Sequence, residues 1–211
     1  MPTGSGGIEK RLLLRVLTID AAAGTSFLAT ICGLGGSGDV ELDGIPVRLE
    51  LTVFDPNRIS QSEEVLARSD AAALLVHHMD APALELLKNA YRVLPSDHKL
   101  PVALLVVREA GRMEFKMACP ACSQKLWVRD EDQGRIGRCP HCKKTFVLPA
   151  QTLLIKQNLM LPASLPVVTV TVGNPGACRG PLSSLAERAR LRKKVGKSST
   201  APIQLTPEQV S

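Results

Sequence analysis

Four of the six cysteines form two C-x-x-C pairs, Cys119-Pro-Ala-Cys122 and Cys139-Pro-His-Cys142, separated by sixteen residues. Each pair can direct two thiolates at one ion, and two pairs complete a tetrahedron. This spacing predicts one zinc ion. Four thiolates leave no position for water, so the zinc is expected to be structural and not catalytic. Two disulfides or an iron site are the alternatives, and His141 is predicted to face solvent.

The residues around the second pair support the zinc interpretation. Residues 134–149 (GRIGRCPHCKKTFVLP) are similar to short zinc ribbons of bacterial proteins, which have the form G-R-x-x-R-C-P-x-C-x-K-x-F-x-V-P. The resemblance implies a small binding module over 112–149 and does not indicate what it binds. Strands are predicted at 125–129 and 145–148. Because so small a module has few apolar residues, metal binding is expected to supply its folding energy.

The composition predicts a core of Leu, Val, Ala and Ile, because 45% of the 211 residues are hydrophobic and only 3% are aromatic. Such runs are typical of strands covered on both faces. The net charge is +6, and basic residues gather near the cysteines and between Arg188 and Lys197. This charge permits a weak attraction to nucleic acid. A solvated helix end and a soluble tail are the alternative interpretation.

Two absences in the sequence concern location. No apolar run reaches the roughly 18–20 residues that cross a bilayer, so no membrane span is predicted. The first residues (MPTGSGGIEKR) lack the apolar run of a secretory signal. We therefore expect a reducing, cytoplasmic location, where paired cysteines bind metal in preference to forming disulfides.

The elements that must position the cysteines alternate between apolar runs and helical patterns. An Asp43-Gly44 turn between alternating runs predicts a hairpin over 40–54. Strands are also expected at 11–19, 71–77, 101–107 and 166–172, and helices at 26–32, 60–68, 82–93 and 182–195, with small, turn-like residues at 20–25. This order predicts an α/β fold, a mostly parallel sheet with helices on both faces. Residues 1–9 and 196–211 are predicted to be disordered.

The hairpin sequence VELDGIPVRLEL resembles the second and third strands of small Ras-like GTPases, and the order of elements around it fits the same family. The resemblance implies a P-loop fold over 10–111 and 150–195, with the zinc ribbon inserted at 112–149. An α/β domain without GTPase ancestry, such as a receiver-like sheet, is the alternative.

The phosphate-loop positions of that family fall between Ile19 and Ser26. Gly24 and Ser26 match the family's second glycine and its Ser/Thr, but Ile19 replaces the first glycine and Thr25 replaces the lysine. A threonine cannot offset phosphate charge as an ammonium does. The sequence therefore indicates a degenerate phosphate loop, with Gly24, Thr25 and Ser26 as its remaining candidates.

The other two GTPase motifs are also altered. Val53 and Pro56 stand where the family has the Asp and Gly of D-x-x-G, although Asp55 offers an acid if the alignment slips. Residues 107–110 (VREA) replace the base-reading N-K-x-D. Because phosphoryl transfer depends on such positioned charges, we expect no GTP hydrolysis and no specific GTP binding.

These observations predict a non-catalytic GTPase-like scaffold or adaptor that binds a protein partner. Two alternatives stay open: a nucleic-acid-binding ribbon that uses Trp127 and nearby cations, and a nucleotide hydrolase with altered residues. No catalytic residue is assigned. His77 and His78 end a predicted strand but form no recognised triad, and Cys32 and Cys178 are expected to be small buried hydrophobes.

Overall fold

The computed structural model describes residues 11–33, 36–77, 81–94, 100–109, 111 and 114–198. The predicted disordered residues 1–9, and 199–211 of the predicted tail, lie outside this part of the chain. The described strands and helices follow in this order: β1 (Leu12–Thr18), α1 (Ala21–Cys32), β2 (Ser37–Leu42), β3 (Ile45–Val53), α2 (Ile59–Ala67), β4 (Ala71–Val76), α3 (Ala81–Arg92), β5 (Val102–Arg108), β6 (Glu114–Ala118), β7 (Lys125–Arg129), β8 (Ile136–Arg138), β9 (Thr145–Val147), α4 (Gln151–Leu159), β10 (Val167–Thr171) and α5 (Pro175–Ser198).

Six strands form one sheet in the order β10-β5-β4-β1-β3-β2. All neighbours in it are parallel except β2, which pairs antiparallel with β3 at the edge. Asp43 and Gly44 join these two strands with positive φ angles of 49° and 77°, as a two-residue hairpin turn requires. The predicted mixed α/β fold with a mostly parallel sheet is confirmed.

Helices cover both faces of the sheet because successive strand residues point to opposite sides. On one face, Phe27 of α1 and Leu182 of α5 pack in one apolar cluster with Leu14 and Val16 of β1. On the other face, Leu17 belongs to a second cluster, which side chains of α2, α3 and α4 complete: Leu66, Leu87, Ala90, Ile155 and Leu159. Strand β4 is buried along its whole length.

Helix α1 begins at Ala21, five residues before the predicted start. Asp20 caps it, because its Oδ1 accepts hydrogen bonds from the N–H groups of Ala22 and Ala23, at 2.9 and 3.1 Å. The run of small residues after Asp20 was therefore wrongly predicted as a turn. The sequence contained the signal for this start, since an aspartate directly before three alanines is a good helix beginning.

Four other elements differ from the prediction. Helix α5 begins at Pro175, not at 182, and runs to Ser198, so its last turn includes three residues of the predicted disordered tail. Helix α4 occupies a segment for which no element was predicted, and β6 and β8 were also missed. Among the described residues, no helix is both long enough and apolar enough to cross a membrane.

The remaining four strands form two hairpins between β5 and α4, β6–β7 and β8–β9, each a separate two-stranded sheet. We call residues 114–148 the cysteine lobe. Phe115, Met117 and Val128 form its small core, and Leu154 of α4 packs against them. The chain division proposed from the sequence, with a module at 112–149, stays a prediction.

Candidate metal centre

The two C-x-x-C pairs lie in the turns that join the strands of the two hairpins, and they bring four sulfur atoms together. The Sγ atoms of Cys119, Cys122, Cys139 and Cys142 all lie within 4.8 Å of one another. Two of the separations are 3.8 Å, from Cys119 to Cys142, and 3.7 Å, from Cys122 to Cys139. A tetrahedron with metal–sulfur bonds of about 2.3 Å has edges of about 3.8 Å. The donor set and its spacing therefore fit a four-thiolate metal ion.

The two pairs have the same backbone turn. In the first, the N–H of Ser123 donates to the carbonyl of Cys119 at 2.9 Å, and in the second the N–H of Lys143 donates to the carbonyl of Cys139 at 3.0 Å. Ser123 and Lys143 each have a left-handed backbone, with φ of 59° and 61°. Each turn thus directs two cysteine side chains to one side, which is the arrangement needed by a pair of metal ligands.

The thiols differ in acidity because their surroundings differ. The backbone N–H groups of Cys142 and His141 lower the pKa of Cys139 to about 6 by stabilising its thiolate. The N–H of Gln124 acts in the same direction on Cys122, but burial and the other three cysteines outweigh it and raise the pKa of Cys122 to about 12. At neutral pH the metal-free centre therefore retains protons that an incoming metal ion must displace.

Two cations fold back over the second turn. Arg138 donates from Nε to the carbonyl of Lys143 at 3.0 Å, and Lys143 donates from Nζ to the carbonyl of Pro140 at 2.7 Å. Four thiolates around a divalent ion carry a net charge of about −2, so adjacent cations suit such a site. His141 is exposed, as predicted.

Arg108, the last residue of β5, joins the cysteine lobe to the sheet. Its guanidinium donates to Asp130 of the lobe and to the side chain of Gln151 at the start of α4. Gln133 completes the network, because its Nε2 donates to Asp130 at 3.0 Å and its Oε1 accepts from the N–H of Gln151 at 3.3 Å. The Arg108 side chain is only 10% exposed, and burial lowers its pKa.

Sequence reasoning missed this anchor. Arg108 lies within residues 107–110, for which the sequence predicted only the replacement of a base-reading motif. A single arginine at the end of an apolar strand, just before the lobe, was the available signal. Its partners lie 22 and 43 residues away along the chain, so the pairing itself was not readable from local sequence.

The carboxyl edge of the parallel sheet is the second candidate site. Gly24, Thr25 and Ser26 lie within α1, and their role as phosphate-loop candidates stays a prediction. Only Ile19 and Asp20 connect β1 to α1. The connection is short because Asp20 begins the helix at once, and the N–H of Gly24 already donates to the carbonyl of Asp20 at 3.0 Å.

Gly24 has a packing role in this helix. A Cβ atom built on it would lie 2.6 Å from a methyl group of Leu51 and 2.8 Å from the methyl group of Thr18. Its missing side chain therefore lets α1 approach the sheet closely. This explains a glycine in the second turn of a helix, where it otherwise costs about 1 kcal/mol relative to alanine.

Two further side chains line this edge. His77, which follows β4, has its Nδ1 3.8 Å from Oδ2 of Asp20 and its Nε2 3.8 Å from Oε1 of Glu109. His78 lies outside the described residues. Asp55, considered as a displaced metal-binding acid, accepts a hydrogen bond from the N–H of Asn57 at 2.9 Å and lies 3.7 Å from Arg58. It stabilises its own turn.

The two cysteines outside the lobe lie within helices, Cys32 at the end of α1 and Cys178 in the first turn of α5. Cys178 is buried and its thiol donates to the carbonyl of Thr171 at 3.4 Å, and burial raises its pKa to about 11. Cys32 is half-buried beside Gly38, and burial raises its pKa as well. Cys178 therefore fits the predicted small buried hydrophobe, whereas Cys32 is buried only in part.

Comparison with known proteins gives structural similarity without sequence similarity. No family model matches the chain, and no curated protein matches it. One similar solved structure is a GTP-binding protein from the hyperthermophilic archaeon Sulfolobus solfataricus in complex with GDP, with 12% identity, a TM-score of 0.49, and coverage of 87% of this chain and 53% of that chain. A mutation variant of SsGBP matches with 13% identity, a TM-score of 0.46, and coverage of 90% and 57%. The chain thus spans little more than half of each of these proteins.

Proposed function

We propose that the chain is a non-catalytic scaffold or adaptor, in which a structural zinc ion holds the cysteine lobe on a GTPase-like sheet domain. The observation that carries this proposal is the contrast between a complete set of four convergent thiols and a closed sheet edge. The lobe has every ligand that a tetrahedral zinc needs. The sheet edge has lost the loop that would surround a phosphate.

Zinc is the metal that suits the lobe. Four cysteine thiolates in a tetrahedral arrangement favour zinc or iron, and zinc is the usual occupant of two C-x-x-C turns on short hairpins. The ion would be held by Cys119, Cys122, Cys139 and Cys142. With all four positions filled by protein, it would contribute folding energy and no reaction. Such a site needs reduced thiols, which supports a cytoplasmic location.

The closed edge supports the non-catalytic part of the proposal. A nucleotide phosphate binds where free backbone N–H groups point outward from the first turn of a helix. Here the carboxylate of Asp20 accepts the N–H groups of Ala22 and Ala23, so a negative charge of the chain itself already lies at that position. A phosphate would have to displace it and would meet its repulsion. No lysine stands at Thr25 to compensate.

The anchoring of the lobe supports a scaffold. The network around Arg108 and the packing of Leu154 fix the lobe to β5 and α4. A partner that contacts both the lobe and the sheet domain would therefore meet two surfaces in a fixed arrangement. Such preorganisation reduces the ordering cost of binding a protein.

Calorimetric titration with GTP and GDP, with and without Mg²⁺, tests the non-catalytic assignment. We expect no saturable heat up to millimolar nucleotide. An Asp20→Gly variant is titrated in parallel. It shows whether nucleotide binding is prevented by the Asp20 carboxylate or by the short connection between β1 and α1. Magnesium-dependent GTP binding by the wild-type chain with a dissociation constant below about 1 mM would overturn the assignment.

Affinity capture with the wild-type chain and with Cys139→Ser tests the adaptor role. Partners bound reproducibly by the wild type and lost by the variant would be assigned to the lobe. Partners bound by both would be assigned to the sheet domain. If neither protein retains a partner above the level of a matched unrelated domain, the adaptor role is wrong.

A further inference from the structure

One face of the β6–β7 hairpin is exposed and carries three cations around a tryptophan. The strands alternate, so their buried residues point to the core of the lobe and the others point outward. We call this the outer hairpin face. Its members, all exposed, are Glu114, Lys116, Ala118, Lys125, Trp127 and Arg129.

Trp127 lies at the centre of this face and is 53% exposed. Lys116 is its direct cross-strand neighbour, and the Lys116 Nζ lies 4.4 Å from the centre of the indole ring. Lys125 and Arg129 flank Trp127 on the same strand, two residues away on either side. Every neighbour of the indole along or directly across the hairpin is therefore a cation.

Two of these cations lack a carboxylate partner. Within the part of the chain that the structure describes, no carboxylate oxygen lies within 4.0 Å of the ammonium of Lys116 or of Lys125. Arg129 differs, because it pairs with Glu131 at 3.4 Å. The face thus offers two unpaired ammonium groups beside a large apolar ring, which together suit a carboxylate adjacent to an apolar side chain.

The exposed groups favour an acidic polypeptide over a nucleic acid. The ammonium of Lys116 covers one side of the indole, so Trp127 does not present that side to a stacking base. The neighbouring hairpin exposes Ile136 and Val147, a cross-strand pair that is 77% and 62% exposed and matches aliphatic side chains. A second copy of this chain, with a net charge of +6, is disfavoured by repulsion.

We propose that the outer hairpin face docks an acidic segment of a partner protein. Carboxylates of the segment pair with Lys116 and Lys125, and an apolar side chain of the segment lies against Trp127. This inference rests on the proposed adaptor function and assigns its contact to a particular surface.

Trp127 is the only tryptophan of the chain, so its fluorescence reports this face alone. The zinc-loaded full chain is titrated with a short synthetic peptide of glutamates with interspersed leucines. A peptide with lysines in place of the glutamates is the charge control, and an oligothymidylate of equal charge is the nucleic-acid control. We expect a saturable change in Trp127 emission with the acidic peptide only.

Charge-removing variants locate the contact. Lys116→Gln with Lys125→Gln should weaken binding about five- to tenfold, since each exposed ion pair contributes modestly. The matched control removes two exposed cations of α5, Arg188→Gln with Lys194→Gln, and should leave the affinity within about twofold. The proposal is wrong if the two double variants weaken peptide binding equally, or if the Trp127 emission shows no saturable change up to millimolar peptide.

Two further experimental outcomes test this docking proposal separately from the adaptor function. Tighter binding of oligothymidylate than of the acidic peptide would replace the peptide by a nucleic acid as the occupant. The Lys116 and Lys125 variant must retain its metal. If that variant keeps zinc and still captures the partners of the wild type, the outer hairpin face is not the docking surface, while the adaptor function stands.

Discussion

The cysteine lobe and the carboxyl edge of the sheet are both places where the chain gathers charged or ionisable groups, but they differ in what those groups already contact. In the lobe, the sulfur atoms of four cysteines lie within 4.8 Å of one another. At the sheet edge, the first-turn N–H groups of α1 are already bonded to Asp20. A convergent set of thiols indicates a ligand site, whereas a helix terminus already capped by its own aspartate has fewer free N–H groups to offer a ligand.

The largest effect is expected from Cys139→Ser, which leaves three thiolates and should abolish stoichiometric zinc. Structural zinc contributes roughly 10–16 kcal/mol in small zinc peptides, so the lobe should unfold. Elemental analysis and amide hydrogen exchange over residues 114–148 provide the measurement. Cys32→Ser is the matched control and should retain one zinc. If Cys139→Ser still holds one zinc tightly, the lobe does not use this ligand set.

Arg108→Met should show the next largest effect, because it removes the guanidinium that joins Asp130 to Gln151. The partly buried carboxylate of Asp130 then loses its cationic partner and keeps only the hydrogen bond from Gln133, and we expect a loss of about 2–4 kcal/mol in the free energy of unfolding. Urea unfolding of the zinc-loaded chain measures it. Arg129→Met breaks the exposed pair with Glu131 and should cost less than about 1 kcal/mol. If Arg108→Met and Arg129→Met lower the free energy of unfolding equally, the Arg108 network stabilises the chain no more than an exposed ion pair does.

Gly24→Ala tests the close approach of α1 to the sheet. The added methyl would meet Leu51 and Thr18 at less than 3 Å, so we expect destabilisation by about 1–3 kcal/mol. Gly180→Ala in α5 is the control, since a Cβ there meets nothing within 4 Å. That control should stabilise the chain by about 0.5–1 kcal/mol through helix propensity. Thermal unfolding measures the change in stability of each variant. If Gly24→Ala stabilises the chain as Gly180→Ala does, Gly24 does not have the packing role described above.

Acidification should weaken metal retention at the lobe. The pKa of Cys122 is raised to about 12, so this thiol is protonated at neutral pH in the metal-free centre and must release its proton when the metal binds. Binding is therefore coupled to loss of at least one proton, and the apparent affinity should fall at least about tenfold for each pH unit below 7. Competition with a chromophoric chelator between pH 5 and 8 measures the slope. A flat profile would mean that the metal is not held by thiolates.

The sequence predicted the sheet well because apolar runs such as 71–76 and the Asp43-Gly44 turn are local signals that depend little on distant residues. It also identified the four cysteines that the fold brings together, because C-x-x-C spacing is itself a geometric constraint. The prediction from sequence was wrong where a run of small residues is compatible with two structures. The alanines after Asp20 suit a turn or a helix, and only the cap and the packing against Leu51 decide between them.

The contacts of the lobe with the sheet could not be predicted from the sequence for a different reason. Arg108, Asp130 and Gln151 meet only after β5, the lobe and α4 have all folded. Nothing in the neighbourhood of any one of them specifies the other two. The sequence left the exposure of Trp127 open, since it depends on which side of a two-stranded hairpin faces the core of the lobe.

Because β5 and α4 hold the lobe at both ends, its metal-free form is a closed loop and not a free tail. For a loop of about 40 residues whose ends are already held together, roughly 3 kcal/mol of conformational entropy is lost before the metal binds. The sheet domain thereby lowers the ordering cost of metal capture, and an excised 114–149 peptide should bind zinc roughly a hundredfold more weakly than the intact chain. The sheet domain would therefore lower the concentration of free zinc at which the cysteine lobe loses its ion.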